Sequence, residues 1–189
     1  MPHSLIEAVR RGDLEAVHRL ATPATLEARD DEGLSALMWA ARTGQGALTE
    51  ALLAAGADVN ARDARDYTAL FHACHDPDED RGHPDVVALL LQAGADQEAC
   101  IGFGVRPLMY AAGNGEAAVV QVLLQAGADP LARNEVGRTA LMMVKDRDYV
   151  DVINLLHEAE GQQEAGSCGA RHAPDQQVIT FMKPPVRGQ

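Results

Sequence analysis

Asp30-Asp31-Glu32-Gly33-Leu34-Ser35-Ala36-Leu37, followed by Leu52-Leu53-Ala54-Ala55-Gly56-Ala57-Asp58-Val59-Asn60-Ala61, is the stretch on which the fold turns. Its pieces recur. Gly-Ala-Asp returns at Gly94-Ala95-Asp96 and Gly127-Ala128-Asp129, so the glycines stand 38 and 33 residues apart. The leucine at 37 returns at Leu70, Leu108 and Leu141, in steps of 33, 38 and 33. A fixed period of this length is the signature of stacked structural units. The unit is 33 residues, and one copy carries five more.

The pattern inside a unit predicts a turn and two helices. Asp63 and Tyr67-Thr68-Ala69-Leu70 mark a turn followed by a helix start, with Thr68 placed to cap it. A short alanine-rich helix follows, as in Leu37-Met38-Trp39-Ala40-Ala41, and ends at Gly44 or Gly115. A second helix carries an apolar stripe, such as Val119, Val120, Leu123 and Leu124. It stops at Gly56, Gly94 or Gly127, because a helix end often closes in the left-handed region that a Cβ disfavours.

Asp-x-x-Gly-x-Ser/Thr-x-Leu, then Ala-Ala, then Leu-Leu-x-x-Gly-Ala-Asp resembles the ankyrin repeat, over roughly residues 4 to 160. The resemblance implies an all-α solenoid of about five helix–turn–helix units, with short β-hairpin fingers and a C-terminal tail. The expected units are a cap at 4–29, full units at 30–62, 63–100 and 101–133, and a closing unit at 134–160. The terminal units depart from the pattern: Pro23 replaces the glycine, and Val144-Lys145 replaces Ala-Ala. Inside the array, the family's histidine after the early leucine is replaced by Met38, Phe71, Met109 and Met142.

Composition narrows the function. Only 4% of residues are aromatic against 47% hydrophobic, so the core must be built from Ala, Leu and Val, which suits closely packed helices. A net charge of −12 argues against nucleic acid and against an anionic membrane as partner. It is compatible with a basic protein partner, and equally with an acidic surface that merely keeps the chain dispersed. Cys74, Cys100 and Cys168 form no CxxC, and reduced cytoplasmic thiols are the simple account. The N-terminal residues read as amphipathic helix rather than a secretory signal, and no apolar run is long enough to span a bilayer.

An array of this family resembles a cupped hand, with first helices as palm and inter-unit turns as fingers. The 33-residue phase then gives two columns on the expected concave face. One is Trp39, His72, Tyr110 and Met143; the other is Leu34, Tyr67, Val105 and Arg138. Phe103 joins them from a finger, and Arg42 and His75 complete the candidate partner-contacting set. Aromatic and arginine side chains dominate binding energy when exposed. The competing expectation is that Trp39 and Tyr110 are partly buried between neighbouring helices.

The five extra residues fall in His75-Asp76-Pro77-Asp78-Glu79-Asp80-Arg81-Gly82-His83-Pro84, which reads as an exposed acidic loop between two helices. Asp76, Asp78 and Asp80 alternate like a calcium loop, but Val87 stands where a bidentate Glu is required. His72, His75, His83 and Cys74 lack metal-ligand spacing, so no metal or cofactor is expected. Gly102-Phe103-Gly104 shapes a finger rather than cradling phosphate, and no nucleophile–base arrangement is visible. The sequence therefore predicts a monomeric, non-catalytic module that binds another protein. The alternative is an inhibitor or immunity protein masking a basic toxin or enzyme. Residues 161–189 read as a flexible tail with a short apolar segment at 178–182.

Overall fold

A computed structural model describes residues 4–168, with side chains described to residue 163. The helices come in successive antiparallel pairs. Each pair is a front helix followed by a rear one: α1 (Leu5–Arg10) with α2 (Leu14–Leu20), then, beyond a single turn α3 (Pro23–Leu26), α4 (Ala36–Arg42) with α5 (Gly46–Ala54). The series continues as α6 (Ala69–Cys74) with α7 (Pro84–Gln92), α8 (Pro107–Gly113) with α9 (Ala117–Gln125), and α10 (Ala140–Val144) with α11 (Val150–Cys168). Front helices pack on front helices and rear on rear, giving a two-layer all-α solenoid.

Packing makes the helices possible. Front helices of five to seven residues are too short to persist alone in water. Leu37, Leu70, Leu108 and Leu141 lie buried on them, beside the alanines Ala40, Ala73 and Ala111. Leu52, Leu90, Leu123 and Leu156 close the rear layer from within. Cys74 occupies the place that Ala41 and Ala112 take in neighbouring units, fully buried, and burial pushes its thiol well above the usual range. In the last unit the same place falls to Lys145, which is exposed, as the outer end of a stack requires.

The turns repeat as faithfully as the core. The backbone N–H of Asp13, Gln45, His83 and Glu116 donates to the carbonyls of Ala8, Ala40, Ala73 and Ala111 at 2.9–3.0 Å, closing the first four front helices against their rear partners. The extra residues of the third pair loop out between Cys74 and His83 without disturbing this bond. Gly44 is glycine because of its neighbour: its φ is +67°, and a Cβ there would lie 2.4 Å from His83 Nδ1 of the next unit. Rear helices end with Gly56, Gly94 and Gly127 at φ near +90°, and Ala57, Ala95 and Ala128 donate back to Leu52, Leu90 and Leu123. In the first unit Pro23 cannot take that conformation. It starts α3 instead, where Thr22 and Thr25 cap each other and Thr25 Oγ1 donates to Leu20 O at 2.6 Å.

Three expectations need correction. The fingers are not β-hairpins with paired strands: each closes through one short turn, and only Ile101 and Val105 form a bridge there among the described residues. Thr68 is the N-cap of α6, but its hydroxyl makes no cap bond and is buried without a partner; Ser35 and Thr139 do cap α4 and α10. The tail expected to begin at Gly161 starts as helix, because α11 runs on to Cys168. The apolar segment 178–182 lies outside the described residues. None of the helices among the described residues is long and apolar enough to cross a membrane.

The stacking argument predicts a sharp contrast. Leu90→Ala should lower the unfolding free energy by about 3 kcal/mol in urea titration, because the site cannot collapse between two neighbours. Val150→Ala, at a position 64% exposed, should change it by less than about 0.5 kcal/mol. Equal losses would mean that the buried layer does not hold the array together.

Candidate partner-binding face

Fingers and front helices are joined by one recurring device. Asp30 Oδ1 accepts from the backbone N–H of Glu32 and Leu34 at 3.0 and 2.9 Å, which folds the first of these fingers. Asp63 Oδ1 does the same for Arg65 and Tyr67, and Asn134 Oδ1 for Val136 and Arg138. The other side-chain atom reaches the front helix nine residues on. Trp39 Nε1 donates to Asp30 Oδ2 at 2.5 Å, His72 Nε2 lies 3.1 Å from Asp63 Oδ2, and Asn134 Nδ2 reaches Met143 Sδ at 3.9 Å. Three of the four palm positions named from sequence are thus tied to the finger in front of them.

The third of these fingers breaks the rule. Ile101 stands where the others have Asp or Asn, so no carboxylate or amide side chain at that position staples the turn or reaches Tyr110, and the turn is held by backbone bonds. The chain closes through a single 3-10 turn with Phe103 at φ +62°, and the Phe103 carbonyl accepts from Glu135 N–H of the next finger at 3.0 Å. Phe103 is left 74% exposed, and Val136 of the following finger 67%. Tyr110, released from a finger tie, instead joins a ring cluster. Its centroid lies 5.7 Å from Tyr67 and from Phe71, edge to face, and 6.4 Å from His75. Burial, with Tyr67 beside it, pushes the Tyr110 hydroxyl up to about 12.

These rings wall a cavity of about 220 Å³ between the second and third fingers' helices and the inserted loop. Arg42 closes one side. Its guanidinium reaches Glu32 at 3.7 Å, Asp76 at 3.5 Å and also Asp78. Pro77 of the insertion lines the cavity, as does Arg65, whose guanidinium sits 5.5 Å from the Tyr67 ring centre. Below, His75 Nδ1 lies 2.9 Å from Glu116 Oε1. Burial holds the His72 imidazole below its usual 6.5, against the opposing pull of Asp63.

Of the residues named from sequence, Leu34 is buried in the core and offers no surface, while His72, buried and held by Asp63, still lines the cavity with its exposed edge. Trp39 is half-buried, with the guanidiniums of Arg10 and Arg42 at 4.1 and 5.2 Å from its ring, so it is a strut of the first units rather than a free anchor. Burial raises the Asp30 carboxyl, but the Trp39 indole, the Leu34 and Glu32 amides and Arg10 outweigh it and hold the group below the usual carboxylate value. Arg42, Tyr67, His75 and Tyr110 come together around the cavity. Phe103 and Arg138 are exposed, and Val105 and Met143 half-buried, outside it. Sequence reasoning missed Glu32, Arg65, Phe71 and Pro77; the insertion's position at the end of a palm helix was the available signal.

The loop expected to be exposed is so at its tip but not at its base. Asp76 is buried, pairs its backbone with Arg81 at 2.7 and 3.3 Å, and accepts from Asp78 N–H at 3.0 Å. Asp76, Glu79 and His83 bring ligand-type atoms within 4.8 Å of one another. Their chemistry is already committed: His83 Nε2 donates to Arg42 O at 2.9 Å and its Nδ1 packs on Gly44, while Arg42 and Arg81 hold the carboxylates. The arrangement is a salt-bridged anchor for the loop.

Five stacked helix pairs, glycine-closed turns and stapled fingers set the architecture, and sequence comparison agrees with it. A profile described as Ankyrin repeats (3 copies) matches residues 5–99 and again 79–167. The chain belongs to the ankyrin-repeat family. It is 34% identical over 150 residues to ankyrin repeat domain-containing protein 63 of Homo sapiens, a match covering 75% of this chain and 38% of that protein. It is 35% identical over 96 residues to protein phosphatase 1 regulatory subunit 27 of Mus musculus, covering 50% of this chain and 59% of the relative. The chain therefore spans less than two thirds of either relative, 38% of the first and 59% of the second.

The His72–Asp63 tie predicts a pH response. An imidazole depressed in the folded chain takes up its proton more readily when unfolded. Its stabilisation is therefore complete above 6.5 and is lost as pH falls below that value toward the lower folded one. Urea midpoints between about pH 7 and pH 5 should fall less steeply in His72→Gln than in the parent. A slope unchanged by the substitution would assign the titration elsewhere.

Proposed function

We propose that this chain is a non-catalytic module that captures another protein on the concave face formed by its fingers and front helices. Ankyrin repeats are protein-interaction modules. The observation that carries the choice of face is the ring-walled cavity there, together with the exposed Phe103 on a finger, since exposed aromatics and recesses are what binding surfaces use. A relative bears the name of a regulatory subunit of protein phosphatase 1, which favours an enzyme as the class of partner, with this chain acting as its non-catalytic companion. The free thiols of Cys74 and Cys100 suit a reducing compartment, and we assign the chain to the cytoplasm as a monomer.

A second reading is favoured by the acidic loop. Glu32, Asp76 and Asp78 converge on Arg42 beside the cavity, and the chain carries −12 overall. Both would steer a basic partner, as in an inhibitor covering a basic enzyme or toxin. That reading requires an association rate that drops steeply with added salt.

Photo-crosslinking residues placed at Phe103 and Arg138 should trap the partner, while the same groups at Glu50 and Gln121 on rear helices should not. Phe103→Ala with Arg65→Ala should weaken capture by about thirtyfold without loss of helical signal, both side chains being exposed. Capture from the rear positions alone would overturn the choice of face.

A further inference from the structure

We propose that Val178-Ile179-Thr180-Phe181-Met182 of the tail folds back and docks in a groove on the rear layer of the last two units, closing the end of the array. The groove lies away from the fingers, so the inference stands apart from the concave-face reading. It holds about 480 Å³ between α9, α11 and the turn that follows α9. The lining is apolar along Leu124, Ala128, Pro130, Leu155 and Ala159. Glutamines surround them, and Glu158 is the one charged residue lining it among the described residues.

The groove exists because α11 does not stop where the other rear helices do. Leu156 is the counterpart of Leu123, so the place where α9 ends at Gln125 falls at Glu158. Glu160 stands where the earlier unit has Gly127, and α11 runs straight on to Cys168, about 15 Å of further helix. Thr139 Oγ1 donates to Glu160 Oε1 at 3.2 Å and holds the start of that extension beside its own unit. The extension and the turn at Gly127 thus form the two sides of an open cleft.

Three observations select the tail as occupant. The first is what the turns do elsewhere. Asp96 N–H donates to Asn60 Oδ1 at 2.8 Å, and Asp129 N–H to Glu98 Oε1 at 3.3 Å, so each rear turn is stitched to the next. The corresponding residue of the last such turn is Leu131, which accepts no bond and is 37% exposed. An apolar neighbour suits that place, and a further polar turn does not. The second is reach. Val178 follows Cys168 by ten residues, which span about 33 Å when extended, while Leu155 lies thirteen residues back along α11, about 20 Å. The third is chemistry. Val178–Met182 is an uncharged, largely apolar run in a polar tail, matched to a groove of alanine, leucine, proline and glutamine, and Lys183 follows it as a counterpart to Glu158.

The test uses the full chain. A photo-crosslinking residue placed at Gln125 should couple to residues 178–182 of the same molecule, mapped by proteolysis and mass spectrometry on mixed isotope-labelled and unlabelled chains. The same group at Glu50, exposed on α5, should not reach them. Phe181→Asp should abolish the Gln125 crosslink and shift the Gln125, Ala128 and Ala159 amides in two-dimensional NMR, leaving those of α4 in place. It should also lower the thermal midpoint by about 3 °C. Ala159→Arg, which obstructs the groove from the other side, should remove the same crosslink with helical signal retained. Crosslinks from Gln125 to a second copy of the chain, to no part of the tail, or no more often than from Glu50 would overturn the docking. So would Phe181→Asp leaving the Gln125, Ala128 and Ala159 amides unmoved.

Discussion

A helix of five to nine residues does not hold itself together in water, and apart from α11 every helix in this array is that short or shorter. Each survives because its apolar side is covered by the next pair. The rest of the structure follows from that dependence. Alanines stand at Ala40, Ala41, Ala111 and Ala112 because front helices must approach closely. Glycine stands at Gly44 and Gly115 because His83 and Tyr149 of the following units pack directly onto them. The first and last units deviate because each has only one neighbour to satisfy.

The same dependence explains where the surface is free to vary. Rear helices are anchored on each other and leave little freedom. The fingers carry less buried surface and are held mainly by one side chain each, Asp30, Asp63 or Asn134. Arg62 and Arg106 stitch neighbouring fingers, donating to the Cys100 and Arg133 carbonyls at 2.9 Å. Variation in a finger therefore changes the surface without changing the stack. The finger with Ile101 uses that freedom: it gives up its staple, exposes Phe103 and frees Tyr110 to build the cavity wall. The insertion uses it too, adding Pro77 and a cluster of carboxylates while His83 keeps its bond to Ala73.

The family's histidine after the early leucine is replaced, and the structure shows two substitutes. Met38 accepts weakly through sulfur from Ser35 N–H at 3.4 Å, keeping a trace of the missing bond. Phe71 cannot, and Thr68, its cap residue, is left with a buried hydroxyl and no partner. The loss is local, and its counterpart is a ring that completes the cluster with Tyr67 and Tyr110. A weakened turn and a new cavity wall are two results of one substitution.

By itself the sequence determined the period, the helix pairs, the glycine stops and the columns of palm and finger residues, because those depend on spacing along one chain and on local backbone preferences. It could not say that Leu34 and His72 turn inward, that Trp39 is clamped between Arg10 and Arg42, or that Asp76 is buried. Those outcomes depend on side chains brought together from different units: Arg42 meets Asp78, and His75 meets Glu116, across more than thirty residues of sequence. The cavity is the same kind of object. Its walls come from two fingers, three helices and an inserted loop, and only the stacking of units decides which of their side chains face one another.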